Sequence, residues 1–522
     1  EGFGMKDGWR SHALHLGIAL AVLAVAGLAL TGCFGGGGLA TGSVDGYVFK
    51  PEGRAFGNLK IAPVPEPPEG YVPCAGATVT VTGSSNVATT NASGYFRVDN
   101  VSPGYQTITI VYGSYTLNVG VQVTAGRVTA VNPLTGSILP KKWTIMVYMC
   151  ADNDLDSAAL EDVNEMELLG SNNDVNILVQ IDRPGVATGV MGQWKGARRY
   201  YIRQDPNLSA VNSPVVYWFG PDGTDNEIDM GDPYELRDFV QWVVTYYPAQ
   251  HYMLVLWNHG NGWTMMRPSR VTTRAVCGDD TGTWLDIDQV PKALDGLPHL
   301  DIIGLDACVM QMIEVAYEFR NLADIMVGSE ETEPADGWEY QNALAQLCAN
   351  PDRSAWNLAK DIVDTYLARH GGSATQSAFW LSYADDVAMA IRDLKDILIS
   401  YLRPGGAEAA AINQAMIDAM SDATRYGSIG NYSFYDIYEY VDGLKTRVNI
   451  YGGISSGAKA AISSACDAVK SWISSSSVYA PRSSTGKGLS IYIPDPAGSP
   501  DANYDWLQFD WDTKWSDIFS YY

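Results

Sequence analysis

Between residues 43 and 136 apolar and polar positions alternate in short runs. "VDGYVF", "GATVTVTG", "GYFRVDNV", "YQTITIVYG", "YTLNVGVQV" and "RVTAVN" are rich in β-branched and aromatic residues, with Gly, Pro and Asn between them. Period-two strands at that spacing predict a small all-β sandwich, interrupted by the proline-rich loop "PVPEPPEG". From Trp143 the rhythm changes. "WTIMVYM", "VNILVQI", "YMLVLW", "LDIIGL" and "ADIMVG" are apolar without alternation, and "SAALEDVNEMELLG" and "PYELRDFVQWVVTYY" between them have helical spacing. Unalternating strands separated by helices predict a mostly parallel sheet covered on both faces. Beyond Asn350 the pattern is mainly helical, with "SAFWLSY" and "GLSIYIP" as further strands. The expected architecture is an α/β domain over residues 143–522 behind the sandwich.

The first residues follow neither rhythm. Lys6 and Arg10 precede an apolar run from Leu14 to Leu30, which ends in Thr31, Gly32 and Cys33. A basic flank and a short apolar core read as a secretory signal over residues 1–33. The ending resembles a bacterial lipobox, which implies cleavage before Cys33 and a lipid on its sulfur; a plain anchor helix is the alternative. Residues 34–42, "FGGGGLATG", read as a flexible tether. No later apolar run is long enough to cross a bilayer.

Composition narrows the partners. The 522 residues carry a formal charge of −25, which argues against nucleic acid, since a phosphate backbone needs a basic footprint. An acidic surface weakly favours cationic substrates. Seven cysteines include no C-x-x-C pair, so there is no zinc signature, and their spacing gives no disulfide framework.

Two strand ends carry the candidate chemistry. "MLVLWNHGNGW" takes an apolar strand into His259 and Gly260; "LDIIGLDACVMQMIEVAYEF" takes another into Cys308. Reactive groups of an open parallel sheet collect at the carboxyl ends of its strands. "VMQMIEVAYEFR" has helical spacing directly after Cys308, so the thiol is expected near a helix N-terminus that favours thiolate. A Cys–His pair for nucleophilic catalysis needs this arrangement, and glycine at 260 leaves room for a substrate backbone. A buried, inert cysteine is the competing reading.

Asn258-His259-Gly260 and Asp306-Ala307-Cys308 at successive strand ends resemble the clostripain family of cysteine peptidases, relatives of the caspases, legumain and gingipains. "WTIMVYMCADNDLDSAALEDVNEM", "MGDPYELRDFVQWV", "CGDDTGTWLDIDQV" and "IEVAYEFRNLADIMVGSEETEPADGWEY" extend the likeness from Trp143 nearly to the C-terminus. The resemblance implies a caspase-like α/β fold, His259 as general acid/base, Cys308 as nucleophile, and an oxyanion hole from the N–H groups of Gly260 and Cys308. It names no third carboxylate. It also implies protein or peptide substrates cut after Arg, less often Lys, with acidic residues in the primary pocket. Asp306 and Asp336 are the candidates; Glu330 or Glu331 could replace Asp336, and Asp306 could instead cap the following helix. The sandwich, through "SVDGYVF", "AGATVTVTG" and "TNASGYFRVDNVSPG", resembles the prealbumin-like carboxypeptidase regulatory-like domain, usually a non-catalytic module.

Other signals are weaker. "DNDLDSAALEDV" fails as an EF-hand loop because Ser157 and Val163 stand where Gly and Glu are needed, and reads as the acidic start of a helix. Calcium stays open through the resemblance, without assigned ligands. The stretch with Arg267, Arg270 and Arg274 is a candidate for self-cleavage, and the tail with Trp506, Trp511 and Trp515 for sealing the edge of the core. The rival functions are an inactive surface-binding lipoprotein and a metal-dependent hydrolase built on His259, Asp279 and Asp280.

Overall fold

The computed structural model describes residues 41–51, 60–62, 71–113, 115–123, 125, 128–130, 140–184, 194–219, 225–263, 277–279, 283–372, 374–427, 434–474, 476–481, 486–496 and 498–522. The signal segment with Cys33, the loop 63–70, Asp280 and the stretch holding Arg267, Arg270 and Arg274 lie outside them.

The alternating region forms two facing sheets. Strand Gly42–Pro51 pairs antiparallel with Lys60–Ala62, Tyr71–Pro73 and Tyr95–Val101, and parallel with Val128–Ala130. The second sheet runs Val87–Thr89, Thr78–Val81, Gly104–Tyr112, Tyr115–Val123, all antiparallel. Along Thr78–Val81 exposed and buried residues alternate. Val44, Val48, Val79, Val81, Phe96, Val98, Ile108 and Ile110 fill the space between the sheets, as a period of two requires.

The unalternating strands assemble into one nine-stranded sheet. Its order is Val215–Trp218, Arg198–Tyr201, Val175–Asp182, Lys141–Cys150, Ala249–Trp257, Leu300–Asp306, Ala323–Gly328, Ser377–Trp380, Val478–Tyr479. The five central strands, from Val175–Asp182 to Ala323–Gly328, are parallel; the outer two on each side are antiparallel. Successive residues serve opposite layers. Met146, Tyr148, Leu254, Leu256, Ile303 and Leu305 pack into one core with helices Pro233–Tyr246, Ile313–Phe319 and Ala384–Leu402. Ile145, Val147, Met253, Val255 and Ile302 pack into the other with Asp156–Leu169, Tyr340–Ala349 and Ala355–His370. Two faces to cover is why these strands read as solid apolar runs. No helix among the described residues is long and apolar enough to cross a membrane.

Several sequence expectations are corrected. "GLSIYIP" is a strand as expected, over Ser490–Tyr492, and lies in a separate three-stranded sheet beside Phe434–Asp436. Of "SAFWLSY" only Ser377–Trp380 is strand, and Leu381–Tyr383 is a 3-10 turn. Helix Ile313–Phe319 starts five residues after Cys308, not directly after it. The reason is pairing: Gln311 donates to Ser329 O at 2.9 Å, and Met312, in extended conformation, bridges to Ser490. In the tail Trp515 is buried, while Trp506 and Trp511 are 53% and 67% exposed.

Candidate active site

Strands Ala249–Trp257 and Leu300–Asp306 are parallel neighbours, with Trp257 opposite Asp306. Asn258 N–H extends the ladder to Asp306 O at 3.3 Å. His259 and Cys308 each stand two residues past that last pair, so both leave the sheet at one rim. The two turns touch. A Cβ built on Gly260 would lie 2.2 Å from Cys308 O and 2.7 Å from Cys308 N, so only glycine fits there. Val309, directly after Cys308, has φ of 53° although β-branched, a strained conformation costing about 1–3 kcal/mol. Burial and its N–H bond to Glu331 O at 3.0 Å hold it.

His259 is positioned from both sides. Buried Asn258 gives its side-chain amide to Cys150 O at 2.8 Å and Gly278 O at 3.1 Å, and its side-chain oxygen accepts the His259 N–H. The imidazole Nε2 lies 2.8 Å from Asp154 Oδ1. That hydrogen bond holds the Asp154 carboxyl below its ordinary value, so the carboxylate stays ionised and favours the proton on Nε2. The other ring nitrogen, Nδ1, is then left as the basic one.

The thiol of Cys308 is half-buried and makes its contacts with backbone. Glu333 N–H points at Sγ from 3.2 Å, and Gly260 N–H also reaches it. Burial is the largest influence and pushes the thiol up; these two N–H groups oppose it, and the charges of Asp306 and Glu331 add to it. The expected helix N-terminus is not behind the sulfur, so the resting group is a thiol.

The acidic candidates divide. Asp306 is buried beside Cys308, accepts the Tyr340 hydroxyl at 2.8 Å and faces Trp338 N–H at 3.4 Å. Burial raises its carboxyl to about 6, against hydrogen bonds from Glu333 and Tyr340 that lower it. It does not cap a helix, because the following helix begins at Ile313 with Met312 as its capping position. Asp336 is 48% exposed and bonded to the Arg369 guanidinium at 3.1 Å. Glu330 accepts Gly488 N–H at 3.0 Å, and Glu331 bonds Thr332 N–H at 2.8 Å. The structure therefore gathers His259, Gly260, Cys308 and Asp306 at one rim and leaves Asp336 engaged elsewhere. The sequence alone gives no role to Asp154 or Glu333, and names Asn258 only as part of the strand-end motif. Asp154 was visible as an acid just past a parallel strand, but was absorbed into the acidic start of a helix.

Asp279 accepts Met230 N–H at 2.9 Å. Among the described residues no three His, Cys, Asp or Glu side chains are grouped to hold a metal ion.

The geometry agrees with what the chain is similar to. A family model described as the clostripain family matches residues 147–522, and one described as the carboxypeptidase regulatory-like domain matches residues 69–134. Clostripain from Hathewaya histolytica is 27% identical over 225 residues, 40% of this chain and 43% of that protein. The chain thus spans under half the length of this curated relative. A secreted cysteine protease from Bacteroides thetaiotaomicron, solved with an irreversible peptide inhibitor, aligns with TM-score 0.51 and 22% identity over 72% of this chain and 100% of the other. An inactive zymogen protease from Parabacteroides distasonis aligns with TM-score 0.50 and 20% identity over 72% and 99%. At those identities the two structures speak for the fold.

Proposed function

The chain belongs to the clostripain family of cysteine peptidases, and we propose that it is an endopeptidase cutting after arginine through Cys308 and His259. The carrying observation is the contact of the two strand-end turns, where Gly260 packs on the backbone of Cys308. Cys308 Sγ attacks the scissile carbonyl carbon while His259 Nδ1 takes the thiol proton, with Nε2–H donated to Asp154. The carbonyl π pair moves to oxygen, and the oxyanion accepts the N–H groups of Gly260 and Cys308. Collapse expels the amine, which takes the proton from His259, and leaves a thioester. Water, deprotonated by His259, then attacks the thioester; the acid is released and the proton returns to sulfur.

Asp306 supports the preference for a cation. A buried carboxylate behind the nucleophile offers guanidinium a charge-assisted, bidentate partner. An export signal and a lipid on Cys33 would place this activity outside the cell, in line with the secreted character of the Bacteroides protease. The sandwich serves as a spacer or docking module.

Fluorogenic peptides ending in Arg, Lys or a neutral residue test this reading. The wild type should cleave arginyl peptides, and Cys308→Ala should lose at least about 1000-fold in kcat/KM. Equal activity in that variant would refute the assignment.

A further inference from the structure

Two cysteines far apart in sequence meet beneath the His259 turn. Cys150 ends the strand Lys141–Cys150, and Cys277 opens the two-residue strand Cys277–Gly278. One side chain ties the two backbones: the Asn258 amide nitrogen donates to Cys150 O at 2.8 Å and to Gly278 O at 3.1 Å. The two thiols are themselves hydrogen-bonded to each other, and both lie in the same core, 1% and 0% exposed. Other cysteines are placed elsewhere. Cys74 belongs to the sandwich core, Cys348 packs on the opposite face of the large sheet, and Cys466 sits on helix Ser456–Trp472.

A thiol is a weak donor, so packing alone does not call for two sulfurs at this point. Contact between two buried sulfurs is what a disulfide needs. A chain led by an export signal also meets an oxidising compartment, where paired cysteines become and stay oxidised. Burial pushes the Cys150 thiol well up. In the folded chain it is therefore protonated and shielded, and exchange takes place while the core is closing.

We propose that Cys150 and Cys277 are joined by a disulfide in the exported protein, a covalent staple under the turn that orients His259. The oxidant is a protein or small-molecule disulfide. One cysteine, as thiolate, attacks it, forming a mixed disulfide and releasing one donor thiol. The second cysteine, as thiolate, then attacks the sulfur of the first and releases the other donor thiol. The pair loses two electrons and two protons, and the donor disulfide gains them. The bond fastens the two elements that Asn258 grips and leaves Cys308 free as the reacting thiol. The inference rests on the export reading above. The competing role is two reduced thiols packed as small apolar groups.

Full-length chain, made in bacteria with its N-terminal segment, would be acid-quenched, alkylated in denaturant without reductant, and mapped by mass spectrometry in exported and cytoplasmic fractions. In the exported fraction Cys150 and Cys277 should escape alkylation and appear as one linked peptide pair, two hydrogens lighter, that reductant separates. Reductant should lower the melting temperature of the purified wild type by about 5 °C and that of Cys150→Ala/Cys277→Ala by less than about 1 °C. Alkylation of both cysteines in the exported chain, or an equal effect of reductant on the two proteins, would overturn the inference. A chain found only in the cytoplasmic fraction would instead remove the export reading. Reduced full-length chain refolded in mixed oxidised and reduced glutathione then decides, and the inference falls if the pair stays open.

Discussion

The N-terminal sandwich and the α/β sheet that follows both close apolar cores, yet they treat buried charge differently. Among the described residues of the sandwich only Asp45 and Thr90 are buried polar side chains. Each has its partners: Tyr95 OH donates to Asp45 at 3.2 Å, and Thr90 is bonded to Ala77 N and Cys74 O. In the α/β part, acids gather where the parallel strands end, as at Asp152, Asp162, Asp182, Asp279 and Asp306. Burial lifts Asp45 to about 7 and Asp306 to about 6, so desolvation acts alike in both regions. The difference lies in what stands beside the acid. Asp45 meets a tyrosine in a closed sandwich, whereas Asp306 meets the half-buried thiol of Cys308. A buried carboxyl points to function only when a reactive group and a route from solvent accompany it.

That contrast can be attacked at four places. Gly260→Val should have the largest effect, at least about 100-fold in kcat/KM, because the new side chain drives into the backbone of Cys308. Near-normal turnover would mean the two turns do not need their contact. Asp306→Asn should cost arginyl peptides about 100-fold and neutral peptides much less. Its carboxyl is charged only above about 6, so wild-type kcat/KM for arginyl peptides should fall as pH drops through that value. A pH profile equal for charged and neutral peptides would break the link.

Asp154→Asn should lower kcat/KM by about 10-fold, since the pair with His259 is solvent-exposed, with Asp154 82% accessible. The acid limb of the pH profile should also move; a change confined to thermal stability would make Asp154 merely structural. Asp45→Asn should leave turnover within about 2-fold. Its effect is on stability. The folded carboxyl is raised to about 7, so the folded state binds the proton more tightly than the unfolded one. Stability from this group is greatest below the unfolded value and declines as pH rises to about 7. The gap in melting temperature between variant and wild type should shift toward the variant between pH 5 and pH 8. A pH-independent gap would contradict this.

Much of this was legible in the chain. The change from alternating to solid apolar runs told the small antiparallel sheets from the mostly parallel one, because a sheet covered on both faces has no polar side to show. His259 and Cys308 stood out as reactive residues at strand ends. Other parts depended on distant contacts. Strand Arg198–Tyr201, second from the edge of the sheet, reads as polar, and Arg199 is held in the interior by bonds to Gln180 and Asp238 at 2.7 and 2.8 Å. The helix expected after Cys308 starts late because Gln311 and Met312 pair outside it. In "SEETEPADGW" spacing cannot tell which of four acids turn inward; Glu330 and Glu333 bury their carboxyls, while Asp336 is about half exposed. Arg369, from a helix thirty-three residues on, engages Asp336 and leaves Glu333 facing Asp306.

The most direct test of the Cys308–His259 assignment is covalent labelling of the full-length protein with a peptidyl-arginyl electrophile, followed by peptide mapping. One adduct per chain on Cys308, lost in Cys308→Ala and slowed at least about 100-fold in His259→Ala, is the predicted result. Labelling of another cysteine at an equal rate, or a rate indifferent to His259, would contradict it.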